Sequence, residues 1–488
     1  MSLISVSNLT FCYEGSYDNI FEDVSFQIDT DWKLGFIGRN GRGKTTFLNL
    51  LLGKFEYRGN ISANVNFEYF PYAIDDKSQL TIDVIDGIGG GFQLWEIQRE
   101  LSRLEVSDDV LYRPFETLSN GEQTKVLLAA MFLKENSFLL IDEPTNHLDV
   151  EARDLVARYL NSKKGFILVS HDRAFLDSCI DHVLSINKTN IEVQSGNFST
   201  WYYNKQLQDS FELKKNEKLK KEIKRLEVSA RQKADWSNKV EASKIGEHVF
   251  DRGHVGHLAA KMMKRAKIIE KRQKQAIEEK SKLLKNIETA EPLKIKTIQH
   301  HAKRLVELAD VSLFYGPKKV AENVSFVIEQ GDRIALWGRN GSGKSSIIKL
   351  ICGENMEYTG EVYKASNLTI SYVPQDTSFL KGSLNDYAEE NKLDKSLFLT
   401  ILRKLDFERV QFEKDMSDFS AGQKKKVLIA RSLCENANLF VWDEPMNYID
   451  IMSRMQIEEL IMEYRPTMLF VEHDIAFCEN IATKIIQL

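Results

Sequence analysis

A chain of 488 residues with 43% apolar residues, 28% charged residues and only 8 prolines has the composition of a folded globular protein, which excludes bulk disorder; its length predicts two large domains with an insert. No apolar run approaches the roughly 20 residues needed to cross a bilayer, and Met1–Thr10 lacks a basic stretch followed by an apolar one, so a cytoplasmic protein is expected. The net charge of −5 conceals a division: residues 211–290 hold 22 Lys/Arg against 12 Asp/Glu, a basic segment inserted into an acidic chain.

The first element that carries chemistry is the apolar run Trp32–Ile37, a buried strand by its pattern, which enters Gly38-Arg-Asn40-Gly41-Arg-Gly43-Lys44-Thr45 and continues as a helical stretch, Thr46–Leu52. GxxxxGK[ST] between strand and helix is a phosphate-binding loop. Its glycines let backbone N–H groups converge on phosphate oxygens at the positive end of the helix, Lys44 reaches the β and γ phosphates, and the Thr45 hydroxyl ligates Mg²⁺. Gly38, Asn40, Gly41, Gly43, Lys44, Thr45 and Thr46 are therefore candidate ATP contacts. Ser137–Ile141 reads as a second buried strand ending in Asp142-Glu143, which places two carboxylates at a strand end near the phosphates: Asp142 to hold Mg²⁺, Glu143 to orient the attacking water. His171 follows the strand Phe166–Val169 and is placed to contact the γ-phosphate.

From about Trp201 to Lys285 the pattern changes to charged helix, with Leu219, Ile223 and Leu226 on one face, Met262, Ala266 and Ile269 on another, and Gly246, Gly253 and Gly256 marking a turn between them. This predicts an antiparallel helical hairpin linker over 198–302 with its tip near 246–257, each arm roughly 35 to 40 residues and about 55 Å long. The flanking domains are 1–197 and 303–488. Lys214, Lys215, Lys218, Lys221 and Lys224 on one arm, and Lys261, Lys264, Arg265, Lys267 and Lys271 on the other, suit contact with a phosphate backbone. At the tip, Phe250, Arg252, His254 and His257 combine an aromatic with cationic and hydrogen-bonding groups that can stack on folded RNA; no cysteine or carboxylate cluster completes a metal set among those histidines.

Beyond the linker the landmarks return in the same order. Ile334–Trp337 enters Gly338-Arg-Asn340-Gly341-Ser-Gly343-Lys344-Ser345 and the helical stretch Ser346–Ile351; Leu439–Trp442 ends in Asp443-Glu444; His473 follows Met468–Val471. Lys44 to Lys344, Ser119 to Ser420, Glu143 to Glu444 and His171 to His473 are separated by 300, 301, 301 and 302 residues, so a domain has been duplicated almost without insertion. Strand-like runs alternating with helical ones predict an α/β core around a largely parallel sheet in each copy. Five scattered cysteines (Cys12, Cys179, Cys352, Cys434, Cys478) have no paired or metal-ligand spacing and sit among apolar neighbours, as buried thiols do.

Leu118-Ser119-Asn-Gly121-Glu122-Gln123 and Phe419-Ser420-Ala-Gly422-Gln423 resemble the signature sequence of ABC ATPases, and Tyr13 and Tyr315 resemble that family's adenine-stacking aromatics. The resemblance covers both copies. It implies two ABC-type P-loop nucleotide-binding domains packed head to tail, with ATP and Mg²⁺ held at two composite sites. Site one would join Lys44, Thr45, Asp142, Glu143 and His171 to Ser420 and Gly422; site two would join Lys344, Ser345, Asp443, Glu444 and His473 to Ser119 and Gly121. The family's Q-loop glutamine, which contacts Mg²⁺, is matched by Gln375, whereas Tyr72 takes that place in the first copy. Met446 and Tyr448 replace Thr145 and His147, so unequal sites are expected.

Three classes share this machinery: transport ATPases, DNA-repair or chromosome ATPases, and the ABC-F translation factors. A basic hairpin between the copies, without zinc-ligand cysteines or a far longer coiled coil, resembles the third. Within it the chain is similar to the antibiotic-resistance ribosomal protection proteins of the Lsa and Vga type, especially Lsa, along Asp31–Lys44 and Phe419–Lys426. The 47 residues from Tyr72 to Ser119 and 45 from Gln375 to Ser420 leave no room for the arm insert of some housekeeping members, and the chain stops at Leu488 without the extension of several relatives. The resemblance implies binding at the exit site of the bacterial 70S ribosome, against ribosomal RNA and exit-site or P-site tRNA. Phe250 would be directed at the peptidyl transferase centre to displace lincosamides, pleuromutilins and streptogramin A compounds. It further implies a monomer with intramolecular domain pairing and no membrane subunit. A housekeeping ABC-F translation factor and the ATPase component of a membrane transporter are the alternatives.

Overall fold

The computed structural model describes residues 2–13, 19–89, 91–146, 148–187, 190–212, 293–339 and 341–488, with isolated helical positions between 214 and 264. The chain divides into two compact units, Met1–Ser199 with Ala290–Leu488, and Thr200–Thr289. In the second unit residues 200–212 are helical. The tip residues Phe250, Arg252, His254 and His257 lie outside the described residues, as do Asn340 and His147 and most of the predicted hairpin.

The first copy contains β1 (Leu3–Phe11), β2 (Phe21–Asp29), β3 (Lys33–Ile37), β4 (Arg58–Ser62), β5 (Asn66–Phe70), β6 (Ser137–Asp142), β7 (Phe166–Val169), β8 (His182–Asn187) and β9 (Asn190–Ser195). Strands β2-β1-β4 form an antiparallel sheet whose inward positions Ile4, Val6, Leu9 and Phe11 are buried, with the alternation interrupted by a bulge at Asn8. A second sheet runs β5-β6-β7-β3-β8-β9, parallel except for β9. Its central strands are apolar on both faces because both are covered, as in β6, where Phe138–Ile141 are all buried and Phe138 and Leu140 share a core with β1, β2 and the helix Lys44–Leu51.

The second copy repeats the plan with β10 (Arg304–Tyr315), β11 (Lys318–Glu329), β12 (Arg333–Trp337), β13 (Glu357–Lys364), β14 (Ile370–Val373), β15 (Leu439–Asp443), β16 (Met468–Val471) and β17 (Lys484–Gln487). The antiparallel sheet is β11-β10-β13 and the parallel sheet β14-β15-β16-β12-β17. In each parallel sheet the phosphate-loop strand, β3 or β12, lies beside the strand that precedes the histidine, and the carboxylate strand is next. Loops at the carboxyl ends of those neighbouring strands therefore converge on one crevice, where open α/β sheets bind ligands.

Helices follow the glycine turns at Lys44–Leu51 and Lys344–Cys352, starting two residues earlier than the apolar pattern alone predicts because Gly43 and Gly343 act as left-handed N-caps. Phe47 anchors the first of them among Phe21, Phe26 and Phe36, at ring separations of 6.0, 5.8 and 5.5 Å. Truncating so fully buried a ring to alanine costs about 3–5 kcal/mol, so the loop's position is set by core packing behind it. One expectation fails: Cys12 is exposed, since it lies just beyond the end of β1, and Cys352 is only half-buried at the end of its helix.

Candidate functional site

The two glycine turns share a backbone that other residues would strain. Gly41 and Gly43 have φ of 84° and 92°, and Gly341 and Gly343 have 83° and 88°. A Cβ on Gly43 would come 2.5 Å from Ile20 Cγ2, and one on Gly343 2.7 Å from the Val320 carbonyl. A glycine turn of this form at a helix N-terminus is suited to cradle an anion with its backbone N–H groups. Lys44 Nζ folds over it, donating to the carbonyls of Gly38 (2.7 Å) and Arg39 (3.2 Å) and to Asn40 Oδ1 (3.4 Å); Lys344 Nζ donates to Gly338 (2.7 Å) and Arg339 (2.8 Å). Burial lowers the pKa of both amines. Thr46 bonds Tyr13, hydroxyl to hydroxyl at 2.8 Å, and the Tyr13 ring packs edge-on against Phe11 and Phe55; Tyr315 stands half-exposed at the end of β10.

The carboxylates close the phosphate end. Asp142 Oδ2 accepts from Tyr69 Oη at 2.9 Å and from Thr45 Oγ1 at 3.5 Å. Burial raises the Asp142 pKa and pushes Asp443 up to about 6, although Ser345 hydrogen-bonds the latter. Asp443 Oδ1 is buried with no hydrogen-bond partner among the described residues. A hydroxyl beside a desolvated, under-coordinated carboxylate is the donor set a hard divalent cation takes when phosphate and water supply its remaining ligands, so these residues fit Mg²⁺.

Glu143 and Glu444 both lie in the left-handed region, φ 51° and 47°, held there by N–H donation to Val169 (2.9 Å) and Val471 (3.0 Å). Such a conformation in a glutamate is strained and persists only where the surroundings enforce it. Each carboxylate is 3.3 Å from the Nε2 of its histidine, His171 or His473. Beyond that the copies diverge. Glu444 also accepts from Gln375 Nε2 (2.8 Å) and Asn447 Nδ2 (2.7 Å), and although burial opposes it, hydrogen bonds from His473 and Gln375 hold its pKa below the usual range. Glu143 Oε1 has no hydrogen-bond partner among the described residues; burial, reinforced by Asp142 and opposed in part by a backbone hydrogen bond from His171, pushes this carboxyl up to about 8, and burial keeps His171 well below its ordinary value.

Both pairs of facing elements occur in the same compact unit. A cavity of about 880 Å³ is lined by Gly341, Lys344, Ser345, Gln375, Glu444 and His473 from the second copy and by Ser119, Gly121 and Asp149 from the first. Ser119 and Ser420 each cap a helix, with Glu122 and Gln423 completing capping boxes that present the helix N-termini. On the opposite side Gly422 packs so closely that a Cβ there would fall 2.3 Å from the Tyr448 carbonyl and 3.1 Å from Asn40 Nδ2. Asn40 donates to Tyr448 O at 2.8 Å, and Arg39 and Arg42 stand 3.6 and 3.5 Å from Asp406. Farther out, Arg153 bonds the His473 carbonyl at 3.2 Å and Arg173 pairs with Glu458 at 2.7 Å. Site one is thus drawn tight, while site two is a cavity crossed by the exposed pair Arg339–Glu151 at 3.1 Å.

Sequence reasoning did not single out Tyr69, Asp406 or Arg153. Tyr69 occupies an ordinary alternating position in β5, and the charged residues carry no motif; only the partner copy reveals what they face.

A family model described as ABC transporter matches residues 21–146 and 321–447. The chain is 28% identical to the ATP-binding protein Uup of Buchnera aphidicola subsp. Acyrthosiphon pisum, over 99% of this chain and 80% of that protein. It is 27% identical to the ribosome protection protein VmlR of Bacillus subtilis, over 98% of this chain and 85% of that one. Among solved structures it is similar, with a TM-score of 0.64 and 19% identity, to an archaeal ribosome recycling factor in complex with the archaeal ribosomal stalk protein, covering 98% of this chain and 87% of that one. At that identity the likeness is one of fold.

Proposed function

From the premise that the chain belongs to the ABC transporter family and is an ATPase carrying that family's ATP-binding domain twice, we propose that its two sites drive an ABC-F clamp acting on the bacterial 70S ribosome. ATP would lie across each glycine turn, its base against Tyr13 or Tyr315. Mg²⁺ would be held by Thr45 and Asp142 at site one, and by Ser345, Asp443 and Gln375 at site two, neutralising charge on the phosphates. Glu444, oriented by His473 and Gln375, positions water against the γ-phosphorus; as the water oxygen bonds phosphorus, the bond to the β-phosphate oxygen breaks. Glu143 and His171 do the same at site one. The signature residues Ser119, Gly121, Ser420 and Gly422 read the γ-phosphate from the opposite copy, so closure follows ATP binding and opening follows hydrolysis.

The observation that carries the ribosomal reading is the basic segment 211–290 between two ABC copies, a charge pattern suited to RNA phosphates. The name of the Bacillus subtilis relative, ribosome protection protein, supports it. No described helix is long and apolar enough to cross a membrane. In this reading domains 1–197 and 303–488 close around ATP and seat the hairpin 198–302 in ribosomal RNA. Phe250, Arg252, His254 and His257 then rearrange the peptidyl transferase centre, expelling lincosamide, pleuromutilin and streptogramin A drugs. With arms of about 55 Å, the drug leaves through displaced RNA and is not consumed.

The E143Q/E444Q double variant should cosediment with 70S ribosomes in ATP; if it stays in the supernatant at low salt, the ribosomal reading is wrong. Expression in a susceptible bacterium should raise tolerance to those three drug classes. Ribosome binding with unchanged tolerance to all three would instead identify a housekeeping translation factor.

A further inference from the structure

The second signature helix, Ala421–Cys434, carries a buried cation that the mechanism above does not use. Lys425 is 2% exposed, and its ammonium donates to two backbone carbonyls, Pro374 at 2.8 Å and Asp443 at 3.3 Å. Each carbonyl belongs to the residue immediately before a member of the hydrogen-bonded pair Gln375–Glu444, which meet at 2.8 Å. One charge therefore ties the loop that carries the glutamine to the strand end that carries the glutamate. Burial pushes the pKa of this amine down to about 8, and the carboxylates of Glu472, Asp443 and Glu444 oppose that shift.

The first copy supplies an internal comparison. At the corresponding position, 301 residues earlier, stands Thr124, whose hydroxyl turns back to the Asn120 carbonyl of its own helix at 2.9 Å. There Tyr72 replaces the glutamine, and Glu143 Oε1 has no hydrogen-bond partner among the described residues. The copy with the lysine tie has its glutamate hydrogen-bonded to the neighbouring loop through Gln375; in the copy without it, no bond from Tyr72 to Glu143 is found among the described residues.

We infer that Lys425 is a positioning residue of site two, clamping the Pro374–Gln375 loop against the Asp443–Glu444 strand end so that Gln375 and Glu444 share one geometry before ATP arrives. The inference rests on the reading of Glu444 as the residue that orients water. Lys425 touches neither nucleotide nor water; it acts through the two carbonyls. Its loss should therefore impair the chemical step more than ATP binding, because misplacement of a positioned group by about an ångström costs up to about 100-fold in rate.

The test uses the full chain in an E143Q background, so that turnover reports site two. K425M should lower kcat for phosphate release by about 10–100-fold while mant-ATP affinity stays within about twofold of the parent's. K425R, which keeps a donor, should recover part of the rate. A K425M variant that turns over like its parent, or whose loss appears wholly as weaker mant-ATP binding, overturns the inference. Should K425M not fold, K425T, the residue type borne by the first copy, gives the same comparison. The E143Q/E444Q variant separates the premise: if it still hydrolyses ATP at the parent's rate, Glu444 is not the water-orienting group.

Discussion

Asn40 of the first glycine turn donates its side-chain amide to the backbone carbonyl of Tyr448, 408 residues away, at 2.8 Å. Its own carbonyl oxygen accepts from Lys44 Nζ at 3.4 Å, so one amide connects the phosphate-binding lysine to the opposite copy. N40A removes a hydrogen bond of about 1 kcal/mol, enough to reduce the closed population at limiting ATP about fivefold. Distances between spin labels on the two domains would measure this, and an unchanged closed fraction would mean that the bond has no part in closure.

The two signature glycines should respond differently to a methyl group. At Gly422 it would meet the Tyr448 carbonyl at 2.3 Å, whereas at Gly121 the nearest atom, Leu148 Cδ2, is an ordinary 3.6 Å away. Both positions lie in first helical turns, where alanine gains up to about 1 kcal/mol over glycine. G121A is therefore expected to be neutral or slightly stabilising in urea unfolding of the nucleotide-free protein, while G422A loses about 1–3 kcal/mol through the clash. Equal effects at both positions would contradict the asymmetric packing.

This asymmetry marks where the sequence stops being informative. The duplicated fold was legible because apolar strands run into glycine turns, paired acids or a histidine at fixed offsets, and the two that precede the histidines, Phe166–Val169 and Met468–Val471, have the expected limits. Tyr72 and Tyr448 pointed to unequal sites as single-residue departures. The direction of the inequality was hidden, because it depends on which buried groups lose their water and which partners replace it. Glu143 and Glu444 occupy the same motif with the same backbone strain, yet Gln375 and Asn447 hydrogen-bond only the second. The antiparallel sheets were hard to read for a related reason: bulges at Asn8 and Asp310, where the chain takes positive φ, break the two-residue alternation that strand patterns rely on.

Asp450, fully buried, pairs with the buried Lys426 at 2.9 Å and caps its helix through Ser453. Burial opposes its ionisation, but Lys426 and the Ser453 N–H outweigh it and hold the carboxyl far below the usual aspartate range. A folded-state pKa below the unfolded one contributes stability that is complete above about pH 4 and fades as the pH falls toward the folded value. K426M leaves the carboxylate buried without its cation, which costs about 3–5 kcal/mol at neutral pH. It should also flatten the acid limb, since Asp450 then protonates readily in the fold. Urea midpoints from pH 3 to 7 test both; a K426M acid limb as steep as the parent's would show that another group governs it.

The pH dependence of hydrolysis should separate the two sites. Burial and Asp142 push the Glu143 carboxyl up to about 8, so at neutral pH a large fraction is protonated and cannot accept a proton from water. Glu444, held below the ordinary glutamate range by His473 and Gln375, is ionised throughout. In E444Q, where only site one can turn over, kcat should climb between pH 6.5 and 9 with its midpoint about where Glu143 ionises, a rise of roughly thirtyfold for a base required in its charged form. In E143Q, where site two works alone, the rate should be nearly flat over the same interval. His171 cannot produce the rise, because burial keeps it neutral well below that range. Parallel profiles for the two variants would show that the ionisation of Glu143 does not limit site one.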